Sequence, residues 1–114
     1  LEKGENAFNK LFYGYSKNAE KRNINFNLDK EFFRAITSQD CFYCGDSPSQ
    51  ISNPEQSFGV YIYNGIDRID SSLGYIAENC VPCCGRCNEA KMAEKQDDFK
   101  SWIEKVYNHF VKPQ

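Results

Sequence analysis

The chain has 114 residues, 40% of them hydrophobic, with nine Phe and seven Tyr, a composition that suits one compact domain and excludes a disordered chain. A net charge of -2 and a pI near 5.4 exclude a uniformly basic nucleic-acid binder, so any phosphate contact has to come from a local patch. No apolar run approaches the roughly 18 residues of a membrane span, and no signal peptide is expected.

Residues 5–22 predict a helix, because Phe8, Leu11, Phe12, Tyr15 and Ala19 recur at three- and four-residue steps, with Lys17, Lys21 and Arg22 near the end where cations suit the helix dipole. "NINFNL" (23–28) alternates briefly and reads as a short extended piece. Asp29 is an N-cap candidate for a second helix over 30–38 carrying Phe32, Phe33 and Ile36. Both helices read as core support. "CFYCG" (41–45) has the form of a metal knuckle, in which Gly45 lets the backbone fold back and aim N–H groups at sulfur. "DSPSQISNPEQS" (46–57) reads as a surface loop. "FGVYIY" (58–63) reads as a strand, and Asn64-Gly65 predicts a hairpin turn into "IDRID". In that second strand Ile66 and Arg68 would face one way, Asp67 and Ile69 the other. "SSLGY" (71–75) is expected as a loop, "IAENCVP" (76–82) as a short strand ended by Pro82, and "CGRCNEAKMAEK" from Cys84 as a helix. A last helix, about 97–110 and starting at Asp97 or Asp98, carries an apolar stripe of Phe99, Trp102, Ile103, Val106 and Phe110.

Six cysteines, Cys41, Cys44, Cys80, Cys83, Cys84 and Cys87, are the strongest compositional signal. Disulfides or an iron–sulfur cluster would use the same count. The two-residue gaps favour zinc, since both sulfurs of a knuckle can turn toward one ion about 2.3 Å away. A reducing compartment follows from that reading. The second pair is ambiguous, because Cys80/Cys83 and Cys84/Cys87 share the gap. Cys84 and Cys87 are preferred, since Gly85 permits the turn and a helix begins there; Cys80 and Cys83 then read as small buried hydrophobes. Zinc on Cys41, Cys44, Cys84 and Cys87 would clamp the base of a long excursion holding the hairpin. Four protein ligands leave no open position, so that ion is structural. The fold class expected is α+β: a single domain over 1–114, with 1–40 as helical support, 41–96 as a zinc-tied ββα unit and 97–114 as a C-terminal helix.

Taken together, "CFYCG…NGIDRID…GY…ENCVPCCGRCNEAK" resembles the zinc-bearing branch of the HNH endonucleases, in the His-Me finger (ββα-metal) superfamily, from Cys41 to about Lys91, under half the chain. The resemblance implies a metal-dependent DNA endonuclease or nickase, with structural Zn²⁺ on the four cysteines and a catalytic Mg²⁺ or Mn²⁺ held by Asp67 and Asn88. It implies that Asn79 orients the catalytic base and that Lys91 is a basic residue near phosphate; Arg68, Arg86 and Lys91 are the candidate nucleic-acid contacts. The chain departs from the family at position 68, where a His acts as general base. Arg68 has no acceptor and stays protonated, so it cannot take a proton from water, yet its fork suits phosphate. Asp67, Arg68, Asn79 and Asn88 form the candidate catalytic set. Asp70 is a substitute base or a loop cap. His109, the sole histidine, reads as a surface or helix-end residue. A second reading is a catalytically silent, zinc-stabilised nucleic-acid-binding module, alone or in a larger assembly. A third is a zinc-ribbon protein-interaction module, which the acidic pI permits. The partner expected is nucleic acid, as double-stranded DNA, with no membrane, in an intracellular reducing setting compatible with a phage or mobile-element origin.

Overall fold

The computed structural model describes residues 3–54 and 58–114; residues 55–57 of the expected surface loop lie outside the described residues. The class is α+β, as expected, with two small antiparallel sheets and four α-helices among the described residues.

The aromatic face at the chain's start dictates the first layer. Helix α1 (Glu5–Lys21) and helix α2 (Lys30–Thr37) meet the two expected helices closely, and Asp29 caps α2 by accepting the Phe32 N–H at 2.8 Å. Phe8, Phe33, Leu28, Ile36, Ile66 and Cys80 form the buried centre, with Phe12, Tyr15, Phe26 and Tyr75 against it. Phe33 takes edge-on contacts from Phe8, Phe12 and Tyr15 at centroid separations of 5.9, 5.2 and 5.3 Å. Each such ring stabilises the fold by about 1.5–3 kcal/mol through burial alone.

The strands depart from expectation in pairing. Strand β1 (Gln50–Ser52) arises inside the segment expected to be a loop, and it pairs with β2 (Tyr61–Tyr63). Strand β3 (Gly65–Arg68) pairs with β4 (Cys80–Cys83), so β2 and β3 belong to different sheets and the Asn64-Gly65 hairpin does not form. The reason lies in Asn64, which is fully buried. Its backbone N–H donates to the Thr37 carbonyl at 2.8 Å, and its side-chain amide donates to the carbonyls of Gln39 and Asp46. Those bonds anchor the residue to the end of α2 and carry the chain from one sheet to the next. Pro82 does not end β4 but sits inside it, opposite Ile66.

Helix α3 (Gly85–Lys91) follows with Cys84 at its N-cap, and Met92, at φ +52°, ends it after two turns. Helix α4 (Gln96–Val106) starts just ahead of the expected acids, which fall in its first turn, and continues as a π-helical turn, Tyr107–Val111. Of its expected stripe only Phe99 is buried; Trp102, Ile103, Val106 and Phe110 remain exposed. No helix of the described residues is long and apolar enough to cross a membrane.

Candidate functional site

Two features converge on β3 and α3. The first is a sulfur cage. The Sγ atoms of Cys41, Cys44, Cys84 and Cys87 all lie within 4.8 Å of one another, with Cys44 and Cys84 3.6 Å apart. A tetrahedral zinc ion with bonds of about 2.3 Å requires sulfurs at just under 4 Å, so the cluster fits one. Local backbone builds it. Gly45, at φ +81°, turns the first knuckle back so that its N–H reaches the Cys41 carbonyl. In the second knuckle Cys84 accepts the Cys87 N–H, while its own N–H donates to the Cys41 sulfur. Burial opposes ionisation of Cys41, but N–H donors from Cys84, Cys44 and Tyr43 outweigh it and bring the thiol down to about 6. Cys80 and Cys83 lie outside the cage and are buried, the former in the apolar core. Burial pushes the Cys80 thiol up to about 12, which suits an inert core residue.

The second feature is a cleft of about 440 Å³ whose walls include Tyr15 and Asn18 of α1, Arg22 at its C-cap, Asp67 and Arg68 of β3, Tyr75, and Asn88 of α3. Asp67 is 5% exposed and held from behind. Tyr43 donates its hydroxyl to one carboxylate oxygen at 2.7 Å, and the Lys91 ammonium stands 3.2 Å from that oxygen and 3.3 Å from the other. Tyr43 is braced in turn by the edge of Phe99, at 5.4 Å, which is how α4 supports the site. Burial raises the Tyr43 phenol, so it stays a donor to the carboxylate.

Arg68 is fixed along one edge. Its Nη1 donates to the carbonyls of Ser71 and Leu73, both at 2.9 Å, and the guanidinium lies 5.3 Å from the Tyr75 ring. Nη2 and Nε have no partner among the described residues. Asn79 is buried and holds the same loop: its amide oxygen accepts the Asp70 N–H, and its amide nitrogen donates to the carbonyls of Asp70 and Gly74. Asn79 therefore acts on the 70–74 loop that cradles Arg68 and does not line the cleft.

Lys91 is placed otherwise than expected, and Asp70, Arg86 and His109 are not among the residues lining the cleft. Lys91 was expected to meet phosphate, but its ammonium is completely buried, donating to Asp67 and to the carbonyls of Arg68 and Glu94. Asp70 accepts both the hydroxyl and the N–H of Ser72, the loop-cap arrangement that was one of its two expected roles, and these bonds hold its carboxyl below the usual range. Arg86 is exposed on α3 and is not among the cleft's lining residues. His109 is exposed in the π-helical turn.

Tyr43, Tyr15 and Arg22 carry no signal in the motif spacing. Tyr43 lies between two cage cysteines, and Tyr15 and Arg22 reach the cleft only through the tertiary fold.

No protein-family model matches the chain. Over 97 residues, 82% of this chain, it is 32% identical to an uncharacterized protein, R423, of Acanthamoeba polyphaga mimivirus, and it spans only 16% of that protein's length. Its fold is similar to that of the rare-cutting HNH restriction endonuclease PacI, with a TM-score of 0.62 and 22% identity, covering 89% of this chain and 77% of that one. The chain thus shares the fold of an HNH endonuclease and carries a four-cysteine cluster fit for zinc.

Proposed function

We propose that the chain is a metal-dependent DNA endonuclease or nickase of HNH type, acting on a phosphodiester bound in the cleft, with residues 1–40 and 97–114 bracing the zinc-tied unit 41–96. The observation that carries this reading is that Asp67, Arg68 and Asn88, contributed by two different elements, line one cleft beside the cysteine cage. Asp67 and Asn88 offer hard oxygen donors of the kind that Mg²⁺ or Mn²⁺ takes alongside waters and phosphate, and the Asn88 amide is committed to no partner among the described residues, so the donor set fits. When bound, such an ion stabilises charge on the phosphate and acidifies a water.

The chain's own residues do the rest. Arg68, held rigid by two carbonyls, turns its free N–H edge to phosphate. Tyr43 and Lys91 fix the orientation of Asp67. Asn79 keeps the Arg68 loop in register. Neither Arg68 nor Asp70 takes the place of a histidine base: Arg68 cannot accept a proton, and Asp70 is tied to Ser72. Fold likeness to an endonuclease and a relative encoded by a giant virus accord with a role on DNA and a viral or mobile-element origin.

The test is nicking of supercoiled plasmid in Mg²⁺ or Mn²⁺. Nicking by the parent chain, lost in Asp67→Ala with zinc content unchanged, is the expected result. A second reading, a silent nucleic-acid-binding module, draws on arginine in place of histidine at position 68 and on the Lys91 charge against Asp67. It predicts salt-sensitive DNA binding without cleavage, and nicking gained in Arg68→His.

A further inference from the structure

The charges around Asp67 are unbalanced for a site that holds a divalent cation. Asp67 is the only carboxylate lining the cleft among the described residues. Against it stand the Lys91 ammonium, within 3.3 Å of both carboxylate oxygens and wholly buried, and the guanidinium groups of Arg68 and Arg22 in the same cleft. Lys91 cannot swing away cheaply, since its ammonium also donates to the carbonyls of Arg68 and Glu94, and no water reaches it to replace them. Arg22 comes from the end of α1, opposite β3, and makes no ion pair among the described residues. Two arginines lining the cleft and the ammonium buried behind Asp67 thus set three cations around one anion, an environment that favours phosphate and disfavours a divalent cation.

We infer that the cleft binds nucleic-acid phosphate first and takes up the divalent ion only with it, Lys91 and Arg22 being the residues that enforce this order. The inference rests on the reading of Asp67 and Asn88 as metal ligands. Lys91 is a positioning residue: it touches neither substrate nor ion but neutralises Asp67 and fixes its orientation. Substrate phosphate supplies the negative charge that the protein withholds, so the two ligands bind with positive coupling. Arg22 places α1, otherwise a core helix, on the substrate side of the cleft.

The experiment measures Mn²⁺ binding by the zinc-loaded chain, from the electron paramagnetic resonance signal of free Mn²⁺, alone and with a mixed-sequence phosphorothioate DNA duplex. The duplex is expected to tighten Mn²⁺ binding by about tenfold or more, the least that removal of one neighbouring unit charge is worth even in a high dielectric. Lys91→Met is expected to tighten Mn²⁺ binding to the free chain by about the same factor. A merely structural Lys91 would give the opposite sign, since loosening Asp67 weakens its ligation. Arg22→Gln, at an exposed position that does not threaten folding, tightens Mn²⁺ slightly and weakens duplex binding, and it decides the matter with the parent chain if Lys91→Met does not fold. Equal Mn²⁺ affinity with and without duplex overturns the inference while leaving the nuclease reading intact. Absence of Mn²⁺ binding in both states, with no plasmid nicking, overturns both.

Discussion

The cysteine cage and the Asp67 cleft lie side by side, share helix α3, and are built on opposite principles. The cage comes from two short turns, each complete within a few residues, and brings together one residue type with one possible geometry. The cleft draws on α1, β3, the 70–75 loop and α3, and its members have nothing in common but position. A site made of local turns survives changes in the rest of the fold; a site made of tertiary neighbours inherits every change in packing. The cage is also closed by its four sulfurs while the cleft is open to a ligand.

The sharpest way to break this comparison is to remove one ligand of the cage. Cys84→Ser should abolish stoichiometric zinc and unfold the 41–91 region, because structural zinc supplies on the order of 10 kcal/mol in small domains. Cys80→Ser, one knuckle-spacing away, should keep zinc and lose about 1–2 kcal/mol from a buried apolar position. Metal content and thermal denaturation check both, and zinc loss in Cys80→Ser with retention in Cys84→Ser would reverse the assignment. Lys91→Met comes next: it leaves the Asp67 carboxylate buried without its counter-charge, and about 3–5 kcal/mol of stability should disappear in a denaturant titration. Asn79→Ala should cost about 1–3 kcal/mol, since the Asp70 and Gly74 groups it serves lose partners, and amide exchange should rise in 70–75 before anywhere else. If exchange rises evenly through the chain, Asn79 does not act locally. The smallest effect belongs to the C-terminal helix. Phe110→Ser, at a side chain 84% exposed, should shift stability by less than about 0.5 kcal/mol, whereas Phe99→Ala, which removes the brace on Tyr43, should cost about 3 kcal/mol or more.

The same contrast explains what the sequence made readable. The four cage cysteines were distinguishable from Cys80 and Cys83 because Gly85 and a helix start mark one pair locally. The two N-terminal helices were readable from periodicity and the Asp29 cap. The Asn64-Gly65 turn was misread because the dipeptide signal is local and weak beside three hydrogen bonds from Asn64 to residues 37, 39 and 46. Strand β1 is three residues long in a polar run, too short for any period to show. The apolar stripe of α4 is real as a pattern, but periodicity fixes only which residues share a face, not whether anything covers it. Within the cleft, Asp67, Arg68 and Asn88 were found through a motif, while Arg22 and Tyr15 needed the three-dimensional path of α1, and the burial of Lys91 could be seen only once Asp67 and Glu94 were located around it.

Thirty-nine residues separate Cys44 from Cys84, and β1 to β4 all fall in that interval. Closing a flexible loop of that length costs about 3 kcal/mol in chain entropy, which a bound ion offsets many times over. A chain whose cage stayed unfilled would therefore be expected to lack both the β3 register and the cleft between α1 and α3. If the cage takes zinc as its geometry fits, metallation becomes a licensing step: the cleft would form only once the cage is filled, and chain made without the metal would be present but inert.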